Sequence, residues 1–477
     1  MKRRAFVSFC AAAGGLLVLG MRRPAAQTVT PQIGDSITAY GAVGDGTTDD
    51  GPALLAACND LRDSVLRVPA GTYLIGNPLT IRDFSGTILF EVGAMLRFAD
   101  RTRPGLTFSG GANAQILNYR AGWRDVPVTR LLAGGGIEFQ DALDPHLESP
   151  IIDSSNSAGI IFYHCIRPQV IGAVVSNTLA DGIHFANCDS PVVENSRTTN
   201  TGDDGVAFVN YATGANNTGG VARNITVQAS KARGITVVGQ SNVEVRDFSV
   251  YDTASSGVLC AYDASYNTRV PDNVIFANGR IERSGVVTPT KGNRYGAEID
   301  TTGAVTFDNL DIVDSEDRGL SVSSPQGRIV LRDIKISGTR RNSGAEIRAA
   351  DVTINGMRIE GAPRYGVYIA NTPNVRLDDV TVVDSAASFD LPRAIWFDGN
   401  GQISANRLVV VDTRASTLGN IIGAGPGQRG TVTGVLFSTV DGQGVRIENS
   451  STPGLTFPAP VRMQTPAAPA AAEILPG

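Results

Sequence analysis

Three aspartates near the middle of the chain have the residue type and the spacing for acid–base chemistry. Asp181 and Asp204 lie 23 residues apart, each directly before a glycine, and Asp203 directly precedes Asp204. Carboxyl groups held close together repel one another, which keeps one protonated as a general acid while another stays ionised as a general base. Arg233 directly precedes a later glycine of the same kind, and His184 follows Asp181 by three residues. These two side chains are candidates for binding substrate hydroxyl groups or an acidic sugar.

A repeat of 23 residues predicts that the aspartates are neighbours in space. A glycine followed by an apolar, a variable and an apolar residue recurs at intervals of 23, at Gly136, Gly159, Gly182 and Gly205. After insertions the phrase returns at Gly234, Gly257, Gly296, Gly319, Gly344 and Gly366. Short segments rich in Val, Ile and Thr lie between the phrases, alternate with period 2 and end in turn residues. This pattern indicates an all-β solenoid: a single-stranded parallel β-helix with coils of about 23 residues, stacked about 4.8 Å apart.

The alternation also predicts which side chains face the interior. The first and third residues after each glycine are apolar, as Ile183 and Phe185 are, so both columns should be buried. The residue between them varies and should face outward, as at His184. The glycine itself is predicted to accommodate the turn that enters the strand. Asp181 and Asp204 would then stack on adjacent coils.

A short helix near the N-terminus is predicted to cap the first coil. Asp49 or Asp50 can cap this helix, which has Pro52 in its first turn. Three residues would form the apolar stripe that covers the open end of the solenoid: Leu54, Leu55 and Cys58.

The two ends of the chain differ from its repetitive part. Residues 1–27 combine a basic start, with the pair Arg3–Arg4, and a short apolar run, which predicts an export signal of the twin-arginine type. Residues 452–477 are rich in Pro and Ala and lack periodicity, so we expect a loose tail there and a β-helix domain over 28–451. The expected protein is exported, periplasmic or extracellular, monomeric, and free of a membrane anchor once the signal is removed.

The charge balance excludes two classes of partner. The net charge is −5, and removal of residues 1–27 with their five basic residues leaves 36 basic against 46 acidic residues, or −10. A net acidic protein is a poor partner for nucleic acid or for an anionic membrane surface. The same balance slightly favours a neutral glucan over a polyuronate as the polysaccharide partner.

The segment AYGAVGDGTTDD, followed by the predicted helix and by VPAGTYLI, resembles the opening of pectate-lyase-superfamily proteins. These proteins include rhamnogalacturonases, epimerase-like pectate lyases and polygalacturonases. The resemblance implies a right-handed parallel β-helix over about residues 35–450. It leaves the chemistry open, because the superfamily contains hydrolases, lyases, epimerases and binding proteins.

Residues 177–208 resemble the NTDG and GDD motifs of polygalacturonases. This resemblance implies an inverting glycoside hydrolase in which Asp203 is the acid, while Asp181 and Asp204 activate a water molecule. The chain departs from the family by two residues inserted before Asp181, by Arg233 in place of a histidine, and by the absence of an RIK motif. These departures argue against galacturonan as the substrate.

Other interpretations of the same residues remain open. In a lyase, Asp181 and Asp204 would bind Ca²⁺ and Arg233 would be the base of a β-elimination, whereas the hydrolase needs no cofactor. The sequence DPH at 144–146 resembles a motif of mannuronan C5-epimerases. The chain could also be a non-catalytic glycan-binding or envelope protein whose aspartates only cap turns.

Two insertions are predicted to shape a substrate cleft beside the aspartates, around residues 211–222 and 262–293. Tyrosines in or near these insertions would form its walls: Tyr251, Tyr262, Tyr266 and Tyr295.

Two cysteines also follow the repeat. Cys165 and Cys188 are 23 residues apart, so they should stack on adjacent coils, where a disulfide is possible in an exported protein. Cys260 falls in an inward column and is predicted to pack in the core.

Overall fold

The computed structural model describes residues 34–288, 292–387, 393–414, 420–439, 446–449, 454–456 and 462–464. In these residues the chain winds through short β-strands, each paired in parallel with strands one coil earlier and one coil later. The strands form three sheets, here numbered 1 to 3, that run along the solenoid. The predicted export signal lies outside the described residues. Among the residues described, no helix is long and apolar enough to cross a membrane.

Sheet 1 contains the strands of the repeated glycine phrase. Ile160 pairs with Ile183 and Ile183 with Val206, so an interval of 23 residues is one coil, as predicted. The sheet also includes the first parts of the long strands Leu320–Ser337 and Ala345–Glu360. Its other strands are Leu79–Arg82, Leu106–Ser109, Gly135–Gln140, Ala158–Tyr163, Ile183–Ala186, Val206–Val209, Ile235–Val238, Val258–Ala261, Ala297–Asp300, Val367–Ala370, Arg393–Asp398, Asn420–Ala424 and Arg446–Asn449.

Sheets 2 and 3 complete each coil. In the early coils their strands are separate. Those of sheet 2 are Asp35–Ser36, Val65–Val68, Thr87–Phe90, Gln115–Leu117, His146–Glu148 and Gln169–Ile171, and those of sheet 3 are Asp45–Asp49, Gly71–Ile75, Ala94–Phe98, Arg120–Trp123, Ile151–Ser155 and Val174–Thr178. Later strands run through both sheets: Val192–Thr199, Gly220–Gln228, Val243–Tyr251, Val274–Glu282, Val305–Val313, Asn374–Val383, Gly401–Asp412 and Gln428–Thr439. Within the predicted tail, Leu455–Thr456 and Arg462–Gln464 pair with the last of these.

The bend between sheets 2 and 3 carries a column of residues with positive φ. Asn195, Asn224, Asp247 and Asn278 have φ of 52°, 54°, 55° and 54°. Asn and Asp tolerate this left-handed conformation better than other non-glycine residues because their side chains bond locally. Here they also bond between coils, as where Asn224 Nδ2 donates to Asn195 Oδ1 at 2.8 Å. The column explains why short polar residues separate the apolar segments of the sequence.

The glycines of the repeated phrase have a different role from the one predicted. Neither Gly182 nor Gly205 has a positive φ, so the turn does not require them. A Cβ atom on Gly205 would lie 2.3 Å from Val227 Cγ1, and one on Gly182 would lie 2.6 Å from Thr198 Cγ2. The predicted reason for these glycines, a turn that enters the strand, was therefore wrong. Glycine is needed here because the side chains of sheet 3 pack against its Cα.

The interior follows the predicted columns. The first column, as at Ile160, Ile183 and Val206, is completely buried. The third-position phenylalanines form a stack along the axis, with ring centroids 5.0 to 5.4 Å apart, through Phe108, Phe139, Phe162, Phe185 and Phe208. Stacking of like side chains gives each coil the same apolar contacts with its neighbours, which stabilises a solenoid along its length.

The predicted capping helix is present as Gly51–Asp60. Leu54 and Cys58 are buried in the core, and Leu55 packs against it partly buried. Asp49 Oδ1 accepts a hydrogen bond from the first helical N–H, that of Gly51, at 3.0 Å. The carboxylate of Asp50 instead binds the backbone N–H groups of residues 43 and 44.

Cys165 and Cys188 stack on adjacent coils as predicted, but the structure has them as buried free thiols rather than as a disulfide. Each thiol donates to the phenylalanine carbonyl one coil earlier, Cys165 to Phe139 at 3.5 Å and Cys188 to Phe162 at 3.4 Å. In-register stacking points both side chains in the same direction, so each thiol finds a backbone acceptor. Cys260 is buried in the core, as expected.

Candidate active site

Asp181, Asp203 and Asp204 meet at the corner where sheet 3 leads into sheet 1. Each offers a carboxylate oxygen, and these oxygens lie within 4.8 Å of one another. Asp181 and Asp204 directly precede glycines whose following residues, Ile183 and Val206, are paired across the sheet. The register of the repeat therefore brings the aspartates together, as the sequence predicts.

Asp181 is the member of the cluster whose pKa is lowered. His184 Nδ1 lies 2.5 Å from Asp181 Oδ2, and the backbone N–H of Asp204 donates to Asp181 Oδ1 at 2.9 Å. Burial raises the pKa of Asp181, but the hydrogen bond and charge of His184, the Asp204 N–H and the charge of Arg130 together hold this pKa below its ordinary value. The predicted neighbourhood of His184 and Asp181 is thus observed.

Asp204 differs from Asp181 although it occupies the same corner one coil later. Burial, opposed by the charge of Arg233 and reinforced by the charges of Asp203 and Asp181, raises the pKa of Asp204 to about 6. Its Oδ2 accepts a hydrogen bond from Thr236 Oγ1 at 2.9 Å, and its Oδ1 accepts one from the backbone N–H of Arg233 at 3.0 Å. Two stacked carboxyl groups therefore have pKa values displaced in opposite directions, because their hydrogen bonds and neighbouring charges differ.

Asp203 is the most accessible of the three aspartates. Its side chain is 24% exposed, against 13% for Asp181 and 8% for Asp204. Arg130 Nη1 lies 2.7 Å from Asp203 Oδ2. A ligand lying over this corner would therefore meet Asp203 and Arg130 first.

Arg130 is the functional candidate that sequence reasoning missed. It lies 73 residues before Asp203, in the connection between the strands Arg120–Trp123 and Gly135–Gln140. Hydrogen bonds of Leu131 to Asn156 and Ser157 fix this connection. The only sign of this residue in the sequence is that the repeat is irregularly spaced before Gly136.

Arg233 completes the charge balance of the corner. Its Nε lies 3.4 Å from Asp204 Oδ1, and the charge of Asp204 raises the pKa of Arg233 further above its ordinary value. An arginine with a raised pKa is a weak base, which argues against the role of Arg233 in β-elimination. Arg130 and Arg233 together supply two positive charges to three carboxyl groups.

Hydrogen bonds within the protein compete with the calcium ion that the lyase interpretation places at this cluster. Both oxygens of Asp181 and both oxygens of Asp204 already accept hydrogen bonds from the protein. Asp203 Oδ2 is held by Arg130. Calcium prefers six to eight oxygen ligands free to turn toward it, about 2.3–2.6 Å away.

The structure does not bring two predicted tyrosines to the cluster. Tyr251 ends a strand of sheet 3 and faces outward there, where it interacts electrostatically with Arg280. Tyr262 lies at the start of an external loop and is 45% exposed. Tyr266, a predicted wall residue, interacts electrostatically with Arg130, and Tyr211, which was not among the predicted tyrosines, interacts electrostatically with Asp181.

The two predicted insertions meet beside the cluster. An antiparallel bridge joins Tyr211 to Thr268, and the N–H of Arg269 donates to the carbonyl of Asn210 at 2.9 Å. The guanidinium of Arg269 also donates to the carbonyl of Gly214 at 2.7 Å. The loops form one connected wall at the far end of the strand Val206–Val209. The remainder of the 262–293 insertion includes Val274–Glu282, an ordinary strand of sheets 2 and 3.

The DPH sequence lies away from the aspartates, before and within a strand of sheet 2. Asp144 has φ of 50° at a bend and forms a two-pronged ion pair with Arg167, with both N–O distances 2.7 Å. His146 is adjacent to Glu148, with Nε2 and Oε2 3.2 Å apart. These contacts give the motif a structural role.

Comparisons with known proteins concern the fold. A family profile described as "Right handed beta helix region" matches residues 158–289 and 286–452, more than half of the chain. The A-module of mannuronan C-5 epimerase AlgE6 from Azotobacter vinelandii superposes with a TM-score of 0.52 at 16% identity, over 80% of this chain and 100% of the module. A family 28 exopolygalacturonase of Yersinia enterocolitica has a TM-score of 0.50 at 15% identity, over 78% of each chain. No curated protein matches the sequence. The predicted right-handed parallel β-helix is confirmed.

Proposed function

The chain belongs to the right-handed β-helix family, and we propose that it is a polysaccharide-active enzyme that hydrolyses glycosidic bonds at Asp181, Asp203 and Asp204. The observation that carries this proposal is the meeting of three carboxyl groups at one corner, with oxygens within 4.8 Å of one another, two of them largely buried side by side and the third more accessible. The mannuronan epimerase and the exopolygalacturonase share the fold, which supports a polysaccharide as the substrate. The three aspartates of this corner support acid–base hydrolysis.

The accessible Asp203 is assigned as the proton donor to the leaving-group oxygen. Asp181 and Asp204, buried side by side, are assigned as the base that takes a proton from the attacking water. This division follows the exposure of the three side chains, because only the donor must contact the glycosidic oxygen. Above pH of about 6 Asp204 is ionised and can accept a proton, so the base is active there.

The cluster is compact for an inverting reaction. Its oxygens lie within 4.8 Å of one another, whereas the two carboxyl groups of inverting glycosidases lie about 6.5–9.5 Å apart to admit water. Arg130 is half-exposed on a surface connection, so a bound sugar can displace it from Asp203. Release of this ion pair would let Asp203 turn outward toward the substrate and make room for the water.

β-Elimination is the less supported alternative. It needs a neutral Arg233 as base and a calcium ion on Asp181 and Asp204, and the raised pKa of Arg233 and the occupied carboxylate oxygens both argue against it. The basic and apolar composition of residues 1–27 supports the additional proposal that the enzyme is exported and meets its polysaccharide outside the cytoplasm.

The proposal is tested by reducing-end release from a panel of neutral and acidic polysaccharides. We expect release by the wild type and a loss of at least about 100-fold in Asp203→Asn, because general acid catalysis contributes about 10²–10⁴-fold. The matched control is Asp247→Asn, at a bend where the neighbouring coils carry Asn224 and Asn278. Equal loss in both variants, or full activity of Asp203→Asn, would contradict the assignment.

A further inference from the structure

The column that carries Asp181, Asp204 and Arg233 continues along sheet 1 toward the C-terminal coils. The strand register gives four coil steps from Val206 to Leu320 and six to Val367. At about 4.8 Å per step these are distances of about 19 and 29 Å. The later members of the column directly precede a glycine of the repeat or, in the last case, Ala394: Ser256, Tyr295, Arg318, Ser343, Tyr365 and Arg393.

An open cavity of about 400 Å³ lies on this face of the later coils. Its volume is in the range of small-molecule sites, about 300–1,000 Å³. Four arginines line it, Arg318, Arg348, Arg364 and Arg393, together with two acidic residues, so its formal charge is +2 in a chain whose net charge is −5. The cavity is therefore a basic site on an acidic protein.

The two acidic residues of the cavity are already engaged. Glu346 Oε2 lies 2.9 Å from Arg318 Nη2, and Asp398 Oδ2 accepts a hydrogen bond from the Tyr368 hydroxyl at 2.9 Å. Arg348 is exposed, and its side chain forms no ion pair or hydrogen bond with the residues that the structure describes. Its guanidinium is a fork of donors suited to a carboxylate.

Aromatic rings form the rest of the cavity. Tyr365 and Tyr368 are stacked with centroids 5.0 Å apart, and both are half-buried. The Arg364 guanidinium lies 5.9 Å from the ring centre of Tyr365, and that of Arg393 lies 3.6 Å from the ring centre of Trp396. Stacking on a ring restricts the rotation of a guanidinium, so these two arginines hold their positive charge at fixed places in the cavity wall.

We propose that this cavity binds an acidic sugar residue, with the carboxylate on Arg348 and the sugar ring against the tyrosine pair. Binding in this cavity does not depend on catalysis at the aspartates, because they lie about 29 Å away along the sheet. An extension of the inference rests on the proposed function: a polysaccharide that reaches both places would be acidic, and not the neutral glucan that the net charge favours.

A smaller adjoining cavity of about 220 Å³ shares Arg318, Glu346 and Arg348 with the first and extends toward the aspartates past Tyr295 and Glu298. The two cavities together occupy the outer face of sheet 1 on the coils that carry Tyr295, Arg318 and Arg348 and on those that follow.

Trp396 allows the proposal to be tested by fluorescence. The only other tryptophan, Trp123, is 1% exposed in the core, so a ligand in the cavity changes mainly the Trp396 signal. The probes are trigalacturonate and its fully methyl-esterified form, which keeps the sugar rings and removes the charge. We expect saturable binding of the acid, binding of the ester weaker by about 10-fold or more, and weakening of acid binding in 0.5 M salt.

Variants locate the site. Arg348→Gln should weaken binding of trigalacturonate by about 10-fold, whereas Arg358→Gln, ten residues later on the same strand and paired with Glu360, should leave it unchanged. Asp203→Asn should also leave it unchanged, which separates this site from the catalytic proposal. Equal binding of acid and ester, an unaffected Arg348→Gln variant, or loss of binding in Asp203→Asn would overturn the inference. Inorganic sulfate that binds as tightly as trigalacturonate would reduce the cavity to an anion site and overturn the assignment of a sugar.

Discussion

The hydrogen bond from Thr236 to Asp204 should stabilise the ionised form of the proposed base, and it can be removed without changing the shape of the site. Thr236 is completely buried, and its Oγ1 lies 2.9 Å from Asp204 Oδ2. A hydrogen bond to a charged group contributes about 1.5–3 kcal/mol. Because one pKa unit corresponds to about 1.36 kcal/mol, Thr236→Val should raise the pKa of Asp204 from about 6 by roughly 1–2 units.

The sign of the effect on stability follows from the raised pKa. Protonated Asp204 is favoured by the folded state, so its contribution to stability is present at low pH and declines as pH rises through about 6. In Thr236→Val the ionised carboxylate of Asp204 loses a hydrogen-bond donor, so the stability of the variant declines more than that of the wild type as pH rises. The wild type and Thr236→Val should therefore differ least in melting temperature near pH 5, and the difference should widen toward pH 8.

Two controls make this measurement specific to Asp204. Thr198 is also completely buried, but its hydroxyl makes no hydrogen bond within the described part of the chain, so Thr198→Val should have an effect independent of pH. In an Asp204→Asn background, Thr236→Val should lose its pH dependence. A difference between wild type and Thr236→Val that stays constant from pH 5 to 8 would refute the assigned pKa and its cause.

Three further outcomes follow from the structure. Hydrolysis should be insensitive to EDTA, because the carboxylate oxygens are already bonded within the protein; loss of activity with EDTA and recovery with Ca²⁺ would favour elimination. Gly205→Ala should lower stability by about 1–3 kcal/mol, since its Cβ would overlap Val227, and Val227→Ala should restore part of the loss; a neutral Gly205→Ala would show that the packing is looser. Thiol titration after unfolding without reductant should count the four described cysteines as free, and two missing thiols would show a disulfide: Cys58, Cys165, Cys188 and Cys260.

The solenoid could be predicted because its cause is repeated in the sequence. Each coil places apolar residues in the same two columns, so Ile183 and Phe185 indicate the phase of every other coil. The same repeat length places Asp181 beside Asp204, because in-register parallel strands pair residues at a fixed interval. Periodicity therefore gives both the fold and the nucleus of the site.

The rest of the site depends on contacts that have no period. Arg130 reaches Asp203 from a connection whose length differs from the repeat, and no local pattern gives its direction. Tyr251 lies close in the sequence to an insertion beside the site, but it ends a strand in sheet 3, so its side chain lies on the outer face of that sheet. The regular spacing of the glycines is visible in the sequence. The reason that glycine is required, the close packing of side chains such as Val227 against its Cα, depends on how the sheets pack.

The ¹H NMR spectrum of a polysaccharide before and after incubation with the enzyme tests the central claim most directly. Hydrolysis at Asp181, Asp203 and Asp204 predicts new reducing-end anomeric signals, no olefinic proton of an unsaturated sugar, and no such change with Asp203→Asn. An olefinic signal would show elimination, and altered sugar signals without new chain ends would show epimerisation. Either result, or an unchanged spectrum with every polysaccharide that the protein binds, would contradict the proposed hydrolase.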